Sequence, residues 1–300
     1  DLGWSRGLGD VYKRQVAMNV NDLLCVGAEP IAFVDYIAVP KTDPHTHSIL
    51  GASLAEACKR AKITLAGGET ATLPGIVTEL DLSGTALGWF PKGEEITGEN
   101  LQVGDVLIGL PSSGIHSNGY TLVRAILQRS GDSLFEKAPF ESKHPNRTIE
   151  RFEEGDITLG EVLLNPTRIY VNPLIDLIKE CREGDGPCEV NDLKAMAHIT
   201  GGGLSNLLRL HNKFGWHIDA PLPILPEFHW LSKNGLVNQK EMHRTFNMGM
   251  GMVIAVDKEV AKSVESWLSE RLPGCSRVGY VHDNGRKVTH TNPEIIFEHY

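Results

Sequence analysis

The chain has 300 residues, 41% of them apolar, enough for one large core or two modest ones, with two the better expectation. A formal net charge of −9 argues against nucleic acid or an anionic membrane as a general partner. It leaves a small phosphorylated ligand open, because local backbone dipoles and bound cations outweigh a mildly acidic surface.

The five cysteines (Cys25, Cys58, Cys181, Cys188, Cys275) are odd in number, scattered and without a C-x-x-C pair. This fits reduced thiols in a cytoplasmic protein better than a disulfide or zinc framework. No apolar run approaches the ~20 residues of a membrane span, and the N-terminus has no signal-peptide core.

Residues 1–15 carry no clear period and read as a segment foreign to the fold that follows; a divergent native arm is the alternative. From Val16 a helix is expected, with Val16, Val20, Leu23 and Leu24 on its apolar face and a break at Gly27-Ala-Glu-Pro30. Residues 31–39 read as a buried strand, and 48–62 as an amphipathic helix with Ile49, Leu50, Leu54, Ala57 and Ala61 inward. A short strand over 63–66 is expected to stop at Gly67-Gly68. A glycine-interrupted strand follows over 80–90.

The stretch Leu110-Pro-Ser-Ser-Gly-Ile-His-Ser-Asn-Gly-Tyr-Thr-Leu-Val123 carries most information about function. A strand over 106–110 ends in a loop of glycine, hydroxyls, an imidazole and an amide. The loop opens a helix with Val123, Ile126 and Leu127 inward and Gly131 at its C-terminal cap. Ser113, His116, Ser117 and Asn118 would face the positive end of that helix, which suits phosphate, although Ser and Asn are also ordinary caps. Residues 133–158 are charged and weakly periodic, as in an exposed insertion.

A second α/β region follows, with a helix over 169–178, a strand over 193–199, a triple-glycine turn at 201–203 and a helix over 204–210. A glycine-punctuated strand spans 245–256, and Val260, Val264, Trp267 and Leu268 form a last helical stripe. The pattern predicts an α/β (α+β) protein of two halves, 16–158 and 159–300.

Four further groups qualify for chemistry. Asp22 beside Leu23-Leu24 is either a surface neighbour or an inward cation ligand. Glu69, with Thr70, follows a double glycine at an expected strand end, where α/β sheets collect ligands and Mg²⁺ finds carboxylate and phosphate oxygens. His198-Ile-Thr-Gly-Gly-Gly203 repeats the loop-then-helix logic, so Thr200, Gly201 and Gly202 qualify as an anion nest beside His198. Asn247, within Phe246-Asn-Met-Gly-Met-Gly-Met252, qualifies as an active-site amide or as a group that satisfies core backbone. No P-loop, nucleophile elbow, H-E-x-x-H or Rossmann fingerprint occurs. Glycine-rich nests, scattered carboxylates and no dedicated nucleophile suggest ATP-dependent phosphoryl transfer.

Taken in order, Val16-Ala-Met-Asn-Val-Asn-Asp-Leu-Leu, Gly27-Ala-Glu-Pro, Phe33-Val-Asp-Tyr-Ile-Ala, Gly67-Gly-Glu-Thr-Ala, Gly104-Asp-Val-Leu-Ile-Gly-Leu, Ser112-Ser-Gly-Ile-His-Ser-Asn-Gly-Tyr, Asn165-Pro-Thr-Arg-Ile-Tyr-Val, Ala197-His-Ile-Thr-Gly-Gly-Gly and Met242-His-Arg-Thr-Phe-Asn-Met-Gly-Met-Gly-Met form a specific set. In it the chain resembles the aminoimidazole ribonucleotide synthetase (phosphoribosylformylglycinamidine cyclo-ligase) family from residue 16 to about 256. The resemblance implies a two-domain homodimer whose N-terminal domains share a β-barrel. It also implies ATP-dependent closure of the imidazole ring of formylglycinamidine ribonucleotide in de novo purine synthesis. On this basis Asp22 is a magnesium ligand, and Glu69 and Thr70 anchor the nucleotide. Ser113, His116, Ser117, Asn118, Thr200, Gly201 and Gly202 hold phosphates, and His198 and Asn247 are active-site polar groups.

Two departures are visible. The family's upstream Gly-Thr-Asp-Gly-Val-Gly-Thr-Lys segment gives way here to residues 1–15, and Thr72-Leu73 replaces the usual Glu-Met. The first makes a non-catalytic nucleotide-binding remnant the alternative reading. Within the superfamily, formylglycinamidine synthetase, thiamine-phosphate kinase, selenophosphate synthetase and a hydrogenase maturation factor are the rivals, and His116-Ser-Asn-Gly-Tyr and Pro166-Thr-Arg-Ile-Tyr favour the cyclo-ligase.

Overall fold

A computed structural model describes residues 2–146 and 156–300, the first helix at side-chain level from Tyr12 onward. Part of the expected insertion, 147–155, therefore lies outside the described residues. The chain divides into two compact units, Asp1–Glu95 with Pro166–Ile175, and Ile96–Asn165 with Asp176–Tyr300.

The first unit is built on α1 (Leu2–Leu24), β1 (Glu29–Val39), α2 (Pro44–Arg60), β2 (Thr64–Thr72) and β3 (Asp81–Trp89). Helix α1 begins well upstream of the Val16 start expected from the apolar pattern. Tyr12, Val16, Val20 and Leu24, spaced four apart and buried, continue one stripe back into the segment without clear period. The Tyr12 hydroxyl donates to Asp35 Oδ2 at 3.3 Å.

Asp43 caps α2 by accepting from the His45 amide, Pro44 supplies the first turn, and Leu50, Leu54, Ala57 and Cys58 are buried. The helix forms the crossover that makes β1 and β2 parallel, while β3 pairs antiparallel on the other side of β1.

Two expectations change here. Strand β1 is buried at Phe33 and along its C-terminal end, Ile37, Ala38 and Val39, but not throughout. Ile31 and Val34 remain 45% and 42% exposed, and Leu87 and Trp89 of β3 are 61% and 58% exposed. Strand β2 also does not stop at the double glycine. Pairing shifts between Phe33 and Val34, so the ladder jumps from Leu65 to Gly67 and resumes. A Cβ on Gly68 would lie 1.9 Å from Asp35 Oδ1, so this glycine permits close strand approach rather than ending the strand. Glu69 and Thr70 consequently sit inside β2, opposite Tyr36 and Ile37.

The second unit holds a seven-stranded sheet of order β10-β9-β6-β8-β4-β7-β5. Its strands are β4 (Val106–Pro111), β5 (Leu193–His198), β6 (Gly215–Ile218), β7 (Met250–Val256), β8 (Ser276–His282), β9 (Val288–His290) and β10 (Ile296–Phe297). All neighbours are antiparallel except β6 and β9. The remaining α-helices are α3 (Tyr120–Ser130), α4 (Leu159–Leu163), α5 (Val171–Glu183), α6 (Pro226–Gly235), α7 (Gln239–Thr245) and α8 (Ala261–Arg271).

One core packs Leu107, Trp216, Val253 and Val281 against the sheet; the other joins Val123, Ile126, Phe228, Met242 and Phe246 under α3, α6 and α7. Each large aliphatic side chain so buried is worth roughly 1.5–3 kcal/mol.

The division expected at 158/159 is corrected. Strand β4 lies between β7 and β8, so residues 96–158 as far as described belong with the second unit. The expected helix at 204–210 is a 3-10 helix, Gly203–Arg209. Strand β7 starts at Met250 rather than 245, because Met248 and Gly249 take left-handed φ of 49° and 96° in a turn that feeds it.

Candidate functional site

The sheet order explains why three motifs far apart in sequence meet in the second unit. Strands β4 and β5 each run antiparallel to β7, so both of their C-terminal ends and the N-terminal end of β7 lie at one edge. Pro111 pairs with Met250 and His198 with Met252. The 112–119 loop, the 198–203 turn and the 247–249 turn therefore gather there.

The 112–119 loop is fastened from several sides. Its Ser112 amide donates to Gly249 O at 2.9 Å. Asn165 Nδ2 donates to Ser113 O at 2.6 Å. The Ser113 amide donates to His116 Nε2 at 3.1 Å, which makes Nε2 the acceptor and puts a ring proton on Nδ1. Asn247 is fully engaged: Nδ2 donates to Gly114 O at 2.8 Å and Ile115 O at 3.2 Å, and Oδ1 accepts from the Gly249 amide at 2.9 Å. These bonds fasten the 112–119 loop to the 247–249 turn.

Gly119 caps α3 with φ 85°, and a Cβ there would lie 2.2 Å from Phe246 Cε1, so only glycine opens the helix at this point. The first turn of α3 receives no side-chain hydrogen bond from its cap. Ser112 Oγ is buried without a hydrogen-bond partner.

Ser113 and His116 are buried, and Ser117 and Asn118 half-buried. A Cβ on Gly201 would lie 3.2 Å from Asn118 Oδ1, so the loop and the triple-glycine turn adjoin. In that turn the Thr200 amide donates to Asn206 Oδ1 at 3.0 Å and the Gly203 amide to Thr200 O at 2.9 Å. The expected nest thus spends two of its amides internally. His198 is buried at the end of β5.

In the first unit Asp22 is exposed on α1, and Glu69 and Thr70 are exposed on β2. Among the described residues, no group of three or more His, Cys, Asp or Glu side chains is placed to hold a metal ion.

Three residues given no role by the sequence reading stand out. Asn21 has 0% exposure, accepts from the Tyr170 amide at 3.0 Å and donates to Arg168 O at 2.8 Å, tying 166–175 to α1. Its signal was available: it is the one amide on the stripe Ala17, Val20, Leu24. Asn165 clamps Ser113, as above. Glu227, also at 0% exposure, lies in the first turn of α6, and its Oε1 would be 3.4 Å from a Cβ on Gly114. A carboxylate at a helix N-terminus is electrostatically favoured, but its position under a loop a hundred residues away leaves no local signature.

Comparisons with known proteins match both the N-terminal and the C-terminal parts of the chain. The model for "AIR synthase related protein, N-terminal domain" matches residues 9–90, and that for the C-terminal domain matches 102–291. The first match begins inside the 1–15 segment. Phosphoribosylformylglycinamidine cyclo-ligase of Methanosarcina acetivorans is 41% identical over 274 residues, covering 91% of this chain and 73% of that protein. The Geobacillus kaustophilus protein of the same name is 44% identical over 261 residues, covering 85% and 69%.

Among solved structures, hydrogenase maturation protein HypE in complex with ATP superposes with TM-score 0.67 at 17% identity, covering 96% of this chain and 78% of that one. Thiamine-monophosphate kinase from Stenotrophomonas maltophilia gives 0.67 at 18% identity, covering 95% and 79%. The solved structures share the fold alone. The sequence matches reach through both domains, and by them the chain belongs to the phosphoribosylformylglycinamidine cyclo-ligase family of AIR synthase related proteins.

Proposed function

We propose that this chain catalyses ATP-dependent closure of formylglycinamidine ribonucleotide to aminoimidazole ribonucleotide, with release of ADP and phosphate. The observation that carries this is family membership through both domains. The loop cluster agrees with it: backbone amides, hydroxyls and amide side chains gather at one sheet edge.

In this reaction ATP phosphorylates the formyl amide oxygen, the amidine nitrogen attacks the activated carbon, and phosphate leaves as the ring closes. The substrate brings its own nucleophile, so positioning and charge neutralisation remain for the protein. Ser113, His116, Ser117 and Asn118 at the start of α3 would hold phosphate oxygens, as would the Gly201 and Gly202 amides and the Thr200 hydroxyl. Glu69 and Thr70 would anchor the nucleotide, His198 would serve as a polar group beside the substrate, and Asn247 would keep the 112–119 loop in place.

Magnesium would neutralise phosphate charge. The residues present fit it in the nucleotide-borne mode: the exposed Asp22 carboxylate offers hard oxygen, and a cation arriving with ATP keeps its waters and needs only one or two protein carboxylates. Asp22 would hold it.

The exposed apolar face of the first unit, with Val34, Leu87 and Trp89, supports a homodimer in which two such sheets cover one another. A cytoplasmic location belongs to the same reading, since thiols such as its five cysteines stay reduced there.

The test is turnover of formylglycinamidine ribonucleotide with ATP and Mg²⁺, following ADP and the aminoimidazole product. It is run on this chain and on one carrying a family-like upstream segment in place of residues 1–15. Equimolar ADP and product from either chain is the expected result. Nucleotide binding without product from both would overturn the proposal in favour of a binding remnant.

A further inference from the structure

Helix α5 ends on Cys181-Arg-Glu183, and the chain then folds back through Gly184, whose φ is 82°. The amides of Asp185 and Gly186 both donate to Glu180 O, at 3.0 and 2.9 Å, which fastens the turn to the helix end. Gly186 lies flat against Cys181: a Cβ there would come within 2.6 Å of the Cys181 nitrogen and 2.8 Å of its Sγ. The turn thereby delivers Cys188 to Cys181 with 3.5 Å between the two sulfurs. Cys181 is buried and Cys188 half-buried. Six residues separate them, so the pair has no C-x-x-C signature in the sequence.

We propose that Cys181 and Cys188 form a reversible dithiol–disulfide couple that reacts with small disulfides of the glutathione type. Cys188 is the thiol a solute reaches. It loses its proton to solvent, and its thiolate attacks one sulfur of the oxidant, breaking the S–S bond and releasing one glutathione thiolate. Cys181, in contact, then loses its proton and attacks Cys188 Sγ, expelling the second glutathione thiolate and closing the internal disulfide. The protein gives up two electrons and two protons, and one glutathione disulfide becomes two thiols.

Closing a contact of 3.5 Å to a bond of about 2.05 Å moves the sulfurs by roughly 1.5 Å. The two glycines in the turn permit that shift without moving the body of α5. The hydrogen bond from Cys188 outweighs burial and holds Cys181 below the usual thiol range, while the same contact and burial push the Cys188 thiol up. Access rather than acidity therefore makes Cys188 the first to react, and the acidified Cys181 is the one that closes the bond.

The experiment titrates the reduced full chain with glutathione disulfide and maps unreduced peptides by mass spectrometry. A Cys181–Cys188 linked peptide is expected, cleared by dithiothreitol, with Cys25, Cys58 and Cys275 still reduced. Cys181→Ser should accumulate one glutathione adduct on Cys188, and Cys188→Ser should leave Cys181 unmodified. An unmodified chain that stops at the mixed disulfide, or that oxidises equally at the other three cysteines, would overturn the proposal. The peptide map of the unmodified chain needs no variant, so a folding failure in either variant does not protect the idea.

Discussion

Asn247→Ala tests whether this side chain positions the 112–119 loop. The substitution removes two donations, to Gly114 O and Ile115 O, and the acceptance from the Gly249 amide. At a net ~1 kcal/mol for each hydrogen bond, and with residues 112–116 buried, the loss comes to about 3 kcal/mol. If that loss falls on local opening, the amides of 113–119 should exchange with solvent roughly a hundredfold faster, since each 1.4 kcal/mol is tenfold. Amides inside β7, held by both β4 and β5, should change far less. Asn247→Asp should cost as much or more, because a carboxylate keeps the acceptor for Gly249 but turns charge toward two carbonyl oxygens. The measurement is hydrogen–deuterium exchange on peptides spanning 106–125 and 245–258. Turnover lost with exchange at 113–119 unchanged within twofold would refute the reasoning, because Asn247 would then act on the reacting groups.

Three other outcomes are expected. Gly68→Ala drives a Cβ to 1.9 Å from Asp35 Oδ1, and overpacking between paired strands should cost ~1–3 kcal/mol of stability, seen as a lower urea midpoint, or prevent folding; a wild-type midpoint would contradict the β1–β2 register. Asp22→Asn, on an exposed carboxylate, should leave stability within about 0.5 kcal/mol while abolishing Mg²⁺-dependent turnover; unchanged turnover would remove Asp22 from the metal site. Burial, reinforced by His243 and His217, depresses His290 from 6.5 to about 4. Between those two pH values the unfolded chain takes up a proton that the folded chain refuses, so stability should fall as pH drops from 6.5 to 4 and flatten below. His290→Asn should reduce that slope in urea midpoints across the window, and an unchanged slope would assign it to other groups.

Much of this protein can be read along the chain. Helix faces such as Val123 and Ile126, the strand at 106–110 and the cap at Gly131 follow from periodicity and local backbone preference, and they appear where expected. The family follows from ordered motifs, each short enough to be recorded in consecutive residues. What the chain alone leaves open is set by partners distant in sequence. Gly67-Gly68 reads as a stop because glycine usually ends strands; here Asp35 on the neighbouring strand needs the space, and β2 continues. Residues 96–158 read as part of the first half because they follow it without a break, yet β4 finds its hydrogen-bond partners in β7 and β8, more than 130 residues on. The roles of Asn21, Asn165, Asn247 and Glu227 were decided in the same way. A buried polar side chain is defined by the backbone group it meets, and only the tertiary structure chooses that group.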